Sequence, residues 1–469
     1  MRRFLASSTG VAACAAFVLP LALPSGASAA TLPADPRDAP PAPRAQPARS
    51  VQAAPDVPGS TQSLPLPDRP EGSADPEASE TPSETPSEAQ SETPSARSVP
   101  PTRVPERGRY EPRVRPFSLV GVVWDDAAAE LHGTVQIRTR AAGTGDWSGW
   151  QDVETHTGDH GADPGTAEAA SGRLRGATAP LWVGESDGVE VRVRGEDTDR
   201  ELPRGLRLEL VDPGQSAPGT AEAPDEPGAA GAPGGPALLP GSRSVQPAAA
   251  ARPPYPDGFP ASFLAGQYTA SRPGITSRKQ WGANESLREG GYVYTRTVKA
   301  AFVHHTSTGN NYTCAQAPSV LRGIYRYHVV SSGWRDFGYN FAVDKCGNIY
   351  EGRAGGVAKA VLGAHTLGFN SNTMGVAVLG TYNKTDPSAA VATAVARLTA
   401  WKLGLFQANP RGKVTLTSGG SGKYKKGRKV SFNVISGHRD GVSTDCPGTR
   451  LYNRLPAIRT ASADYQGRT

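Results

Sequence analysis

The repeat ETPSETPSEAQSETPS at 80–95 lies inside a longer run, 30–115, of Pro, Ala, Ser and Glu with almost no large apolar residues. Such a segment buries too little surface to offset the entropy of ordering it, so the sequence predicts a disordered Pro/Ser/Glu-rich linker there. A second run begins with DPGQSAPGTAEAPDEPGAAGAPGG and makes 213–261 a Pro/Gly/Ala-rich linker. With 43 Pro, 54 Gly and 37% hydrophobic residues in 469, much of the chain falls outside any packed core, and two domains joined by linkers fit better than one large globule.

Residues 1–29 read as a signal peptide. Arg2 and Arg3 give a basic start, 11–23 an apolar run too short to span a bilayer, and Ala27-Ser28-Ala29 a small-residue cleavage site. No other segment is apolar enough to cross a membrane, so the expectation is a secreted, cell-wall-associated protein without a membrane span. That compartment decides how cysteines are read. Cys14 leaves with the signal, and the odd number remaining (Cys314, Cys346 and Cys446) requires one of them to have another occupation.

Between the linkers, over 116–212, apolar and polar residues alternate. VQIRTR at 135–140, VEVRVRG at 189–195 and LRLELVD at 206–212 have the period of half-buried antiparallel strands and predict a small all-β sandwich as an accessory module. Trp147 and Trp150 in DWSGW are either sugar-stacking or packing residues. Over 262–469 the pattern is mixed. AAFVHHTS, YNFAVD, NIYEGR and TMGVAVLG read as strands; Val320, Ile324 and Tyr327 share a helical face; and a stronger helix follows Asp386-Pro387, with Val391, Val395, Leu398, Trp401 and Leu405 on its inner stripe. The fold class expected is α/β, a mixed central sheet flanked by helices, preceded by the sandwich and disordered linkers.

Eight histidines are present. His132, His156 and His160 fall in the β-module, and His304, His305 and His438 stand where a zinc hydrolase could use them. Such a site needs three protein ligands and an open position. Adjacent residues on a strand face opposite ways, so only one of His304 and His305 can enter a given pocket, and periodicity does not say which.

The segments VHHTS, GWRDFGYNF, GNIYEGR, GAHTLGFNSNTMGVAVLG and SGHRDGVSTDCPG, with SRKQWGA before them, occur in an order that resembles the type 2 N-acetylmuramoyl-L-alanine amidases, the family that includes peptidoglycan recognition proteins. The likeness runs over about 275–460, and its strength lies in the agreement of several motifs in order. The resemblance implies a zinc amidase domain with His304, His438 and Cys446 as Zn2+ ligands, and Tyr339 positioning the attacking water and the scissile carbonyl. It implies a disulfide between Cys314 and Cys346. Thr444 takes the place of a second catalytic group, where phage-type members carry lysine. Gly333, Trp334 and Arg353 match residues that favour a diaminopimelate stem peptide, the other reading being that Trp334 packs on the helix and Arg353 pairs with a surface acid; His365, in GAHT, either lines the substrate groove or makes a structural hydrogen bond. His305 and His328 are expected to support and pack.

The implied activity is hydrolysis of the amide joining N-acetylmuramic acid to L-alanine of peptidoglycan. Two other readings are a non-catalytic peptidoglycan receptor and a structural zinc or disulfide protein of the envelope. The first is disfavoured because all three ligands are kept, the second because no fourth protein ligand is evident for a closed site. Residues 262–469 carry 27 Lys and Arg against 9 Asp and Glu, a formal +18, which leaves −12 on the remainder of a chain whose total is +6. Much of the excess lies in KYKKGRK at 423–429, which points to anionic wall polymers as partners; nucleic acid is not expected outside the cell.

Overall fold

The computed structural model describes residues 58–67, 105–155, 158–215 and 268–468, all of them within one compact unit, Ala53–Thr469. The signal-like segment, most of both Pro-rich runs and His156 lie outside the described residues.

The β-module is built from eight strands: β1 (Ser60–Pro65), β2 (Glu106–Glu111), β3 (Phe117–Trp124), β4 (Gly133–Ala141), β5 (Gln151–Val153), β6 (Gly176–Ala177), β7 (Leu181–Gly195) and β8 (Arg207–Asp212). The long β7 serves both halves of the sandwich. Its first residues pair with β3, which continues to β8 and β1, and Val189 to Arg194 lie between β2 and β4. Alternation on β4 sends Val135 and Ile137 inward against Val191 and Val193 of β7. Two strands correct the reading of 30–115 as continuous linker. β1 and β2 are short and half-buried, so their sequences lack an apolar signature, and they are held by antiparallel registers with β8 and β7.

β3 has another character. FSLVGVVW is buried at every position, because one face looks into the sandwich and the other onto the second domain. Trp147 and Trp150 form neither an open sugar platform nor a core. Arg138 lies over both rings, Arg192 lies 3.9 Å over Trp150, and Tyr110 stacks on Trp147.

The second domain has a five-stranded mixed sheet in the order β11-β10-β12-β9-β15, made of β9 (Ala300–His305), β10 (Phe341–Val343), β11 (Ile349–Glu351), β12 (Thr373–Val378) and β15 (Ile435–Gly437). Only the edge strand β11 is antiparallel to its neighbour. A hairpin, β13 (Lys413–Thr417) with β14 (Lys429–Asn433), stands beside it, and its turn carries the basic run. The helices are α1 (Arg278–Trp281), α2 (Ala317–Arg326), α3 (Ala389–Gly404), α4 (His438–Gly441), α5 (Thr449–Tyr452) and α6 (Leu455–Tyr465). Helix α3 buries Val391, Val395, Leu398 and Trp401 as its stripe predicts, but its cap is Ser388, whose hydroxyl accepts the Val391 N–H at 3.2 Å. Among the described residues, no helix is long and apolar enough to cross a membrane.

α2 is covered on both sides. Val320, Ile324 and Tyr327 belong to one apolar cluster with Leu119, Val123, Trp182 and Val211 of the β-module and with Ala342 and Ala377 of the sheet. The Tyr327 hydroxyl donates to the carbonyls of Val122 and Thr178, and the ring fills space that only a glycine at 121 leaves open.

Candidate metal centre and cleft

Parallel strands β9 and β15 are neighbours, with Val303 opposite Gly437. His304 therefore stands near the carboxyl end of one strand and His438 one residue past the end of the other, the edge where open α/β sheets place their ligands. The chain turns back after α4, and the Arg439 N–H donates to the Cys446 carbonyl at 2.9 Å, which returns the cysteine to the two histidines. Its sulfur lies 3.8 Å from His304 Nδ1 and accepts the His305 N–H. The strand alternation resolves the histidine pair. His304 enters the site, whereas the His305 ring turns away to the Ser307 hydroxyl and the Tyr382 N–H.

His304 Nε2 lies 3.3 Å from His365 Nδ1, so that with the His304 proton on Nε2 its Nδ1 turns a lone pair toward Cys446. His438 Nδ1 is buried with no hydrogen-bond partner, a cost that a bound cation would remove. Burial, with neighbouring imidazoles, holds His304 and His438 well below the usual histidine range, and burial pushes the Cys446 thiol up. Both rings are thus neutral donors at pH 7. Burial, reinforced by Cys446, also pushes the Tyr339 phenol well above its normal range, so it stays protonated 5.2 Å, ring to ring, from His304.

The β-module adds a fourth donor. His160, from the loop between β5 and β6, brings one ring nitrogen into the same cluster, and the candidate ligand atoms of His160, His304, His438 and Cys446 all lie within 4.8 Å of one another. Tetrahedral zinc with Zn–N near 2.0 Å and Zn–S near 2.3 Å needs donor separations of about 3.5 Å, so imidazoles and a thiol without a carboxylate suit that ion. Where the sequence makes no fourth protein ligand evident, the structure adds His160 as a candidate. His160 lies in another module, within the polar loop sequence GDHGADPG, and only the tertiary contact makes it a candidate. The two histidines in HTGDH were the one available signal.

The cleft residues are placed as follows. Cys314 and Cys346 form a disulfide. The Thr444 hydroxyl accepts the Cys446 N–H at 3.3 Å, shaping the turn that carries the sulfur. His365 does not line the groove: its ring is fully buried against Gly363 and Gly375, behind His304. Trp334 is half-buried and stacked on His328, and Gly333 takes a left-handed φ of 76° beside the Arg173 backbone. Arg353 is buried, its Nε donating to the Phe337 carbonyl and its two terminal nitrogens held by Glu168 of the β-module at 2.8 and 3.0 Å. A cavity of about 230 Å³ borders Arg353, Glu168, Tyr292 and Leu362.

Residues 294–449 match the family model described as N-acetylmuramoyl-L-alanine amidase, and residues 70–228 match one described as Rv3811 N-terminal galactose-binding domain-like. Peptidoglycan-recognition protein SC2 of Drosophila simulans is 33% identical over 181 residues, covering 39% of this chain and 84% of that protein. The N-acetylmuramoyl-L-alanine amidase of Homo sapiens is 32% identical over 187 residues, 39% of this chain and 28% of that protein. Among solved structures, peptidoglycan recognition protein-LE in complex with tracheal cytotoxin, a monomeric diaminopimelic acid-type peptidoglycan, is 29% identical with a TM-score of 0.30, covering 39% of this chain and 92% of that one. The motifs that meet at the ends of β9 and β15 are thus part of a likeness extending over most of the Drosophila protein's length, and the chain belongs to the family of peptidoglycan-recognition proteins and N-acetylmuramoyl-L-alanine amidases.

Proposed function

We propose that the chain is a secreted zinc-dependent hydrolase of peptidoglycan, cleaving the amide between N-acetylmuramic acid and L-alanine. The observation that carries this reading is the buried donor set beside a protonated phenol: His304, His438 and Cys446 within ligating distance of one another, and Tyr339 at their edge. A receptor has no need of the cysteine donor. These three residues would hold zinc, which when bound supplies Lewis acidity and lowers the pKa of a coordinated water.

The remaining roles fall to the chain's own groups. His365 fixes the tautomer and orientation of His304 from behind, as outer partners of ligating histidines do. Tyr339, kept neutral by burial, is a donor for the oxygen that becomes negative as the amide is attacked. Thr444 holds the cysteine turn rather than a proton. The rigid fork of Arg353, seated between Phe337 and Leu362, suits a stem-peptide carboxylate, and a diaminopimelate side-chain carboxylate fits this chemistry; Gly333 and Trp334 are proposed to contact the same stem peptide. The exposed lysines of the β13–β14 turn would meet anionic wall polymers.

The test is zinc stoichiometry together with release of L-alanine amino groups from purified sacculi, by the wild-type chain and by His160→Ala, in which the fourth position is open. One zinc per chain is expected in both proteins, with amine release and no new reducing ends from at least one of them, lost on chelation and restored by zinc. If neither protein releases amino groups while holding zinc, the hydrolase reading fails.

A further inference from the structure

Residues 158–175 of the β-module lie along the second domain from the metal cluster to Arg353. At the metal end, the Asp159 carbonyl lies 3.3 Å from His438 Nε2 and accepts the Leu367 N–H, while His160 points a ring nitrogen into the donor cluster. Asp163 accepts the Gly368 N–H at 2.8 Å and the Asn370 side-chain amide at 2.6 Å, which fastens the segment to the loop behind the site. At the far end Glu168 fills the Arg353 fork and accepts the Arg335 N–H, and the Arg175 N–H donates to the Ser332 carbonyl. Every one of these partners belongs to the second domain.

We infer that this segment is a built-in occupant of the cleft, with His160 as a fourth metal ligand supplied in cis and Glu168 filling the subsite for a peptide carboxylate, so that the chain as folded is latent until the segment is displaced. Three features support this. Four protein donors close a tetrahedral ion and leave no position for water, the arrangement of structural rather than catalytic zinc. A carboxylate gripped bidentately at Arg353 is the chemistry that a stem peptide would bring to the same place. The face of the module that packs on α2 holds the segment beside its target, so an external ligand competes with an intramolecular one at high effective concentration. The apparent affinity for substrate is then the intrinsic affinity reduced by the fraction of molecules with the segment out.

The carboxylate part rests on the hydrolase reading of the cleft; the metal-ligand part does not, and the experiment separates them. Cobalt(II) is loaded into the full chain and into His160→Ala, and acetohydroxamate is added to each. The wild-type spectrum should be that of a four-coordinate site and stay unchanged, whereas the His160→Ala spectrum should shift on addition, and that variant should lose metal to a chelator at least about tenfold faster, since outer-sphere changes alone cost about that much. Glu168→Gln, which keeps all four metal donors, should bind N-acetylmuramoyl-L-alanyl-D-glutamyl-diaminopimelate at least about tenfold more tightly than wild type by calorimetry. A wild-type cobalt spectrum that answers acetohydroxamate as His160→Ala does overturns the ligand assignment, even if amidase activity is high. Equal muropeptide affinity in wild type and Glu168→Gln overturns the occupied subsite. A closed cobalt site with no amine release from any variant upholds the ligand and removes the hydrolase reading instead.

Discussion

Glu168 and Arg353 form a buried ion pair, about 7% and 5% exposed, and the energetics of such pairs make a sharp prediction. Replacing Glu168 with leucine leaves a guanidinium that keeps its bond to the Phe337 carbonyl but has lost its carboxylate in a site mostly closed to water. Replacing Arg353 with methionine leaves a carboxylate whose remaining bond is to the Arg335 N–H. Breaking a buried pair from one side costs about 3–5 kcal/mol, because the surviving charge is uncompensated, whereas replacing both partners by apolar groups is often close to neutral. The cavity of about 230 Å³ beside both side chains admits some water, which puts each single variant near the lower end, about 3 kcal/mol. At about 1.4 kcal/mol per factor of ten, that is more than a hundredfold in the folding equilibrium. The double variant, Glu168→Leu with Arg353→Met, should cost less than about 1.5 kcal/mol, giving a coupling of several kcal/mol. Urea unfolding of the whole chain measures all four corners, provided the m-value is unchanged. Additive losses near 6 kcal/mol, or singles within about 0.5 kcal/mol of wild type, would show that the pair is solvated and that the cleft is open at this end.

Tyr339→Phe should keep its zinc and lose turnover on the order of 100-fold, with KM little changed; a loss confined to KM would make the phenol a substrate-packing group. Gly121→Ala would bring a Cβ to 2.7 Å from Cζ of the buried Tyr327, and such overpacking should lower stability by about 1–3 kcal/mol in urea titrations; an unchanged midpoint would mean the module does not seat on α2 as described. Binding of the full chain to sacculi should weaken steeply as the Debye length falls from about 10 Å at 0.1 M salt to about 3 Å at 1 M, and again when Lys423, Lys425, Lys426, Arg428 and Lys429 are neutralised. Salt-independent binding would assign attachment to the cleft or the β-module.

What the sequence displays depends on how local the cause is. The alternation of β4 and of the second half of β7 is written in their own residues, because one face of each is buried and the other more exposed; β8 alternates in sequence although Leu208 to Val211 are all buried, and α3 keeps its apolar stripe although its second half is buried all round. β3 shows no alternation, since both its faces are buried, and β1 and β2 show no apolar pattern, since backbone pairing holds them. The site divides in the same way. His304, His438 and Cys446 are approached through ordered motifs, and the strand geometry then separates His304 from His305. His365 lies in an equally visible motif, yet its burial behind His304 follows from the close approach of Gly363 and Gly375, which no motif displays. His160, Asp163 and Glu168 are polar residues in a module loop, and their meaning arises only from how that module docks.

The double burial of α2 sets an order of events during synthesis. Leu119, Val123, Trp182 and Val211 are complete in the chain once residue 211 has been made, but the helix that covers them is not finished until Arg326 and its following turn have emerged. At about 5–20 residues per second that interval is about 6–24 s, during which the module presents an apolar surface with nothing yet to close it. Its own second domain is the partner that ends this exposure. The module is therefore the half of the molecule that waits, and conditions that slow translation or delay folding of the second domain are those under which the nascent chain is most prone to associate with other copies.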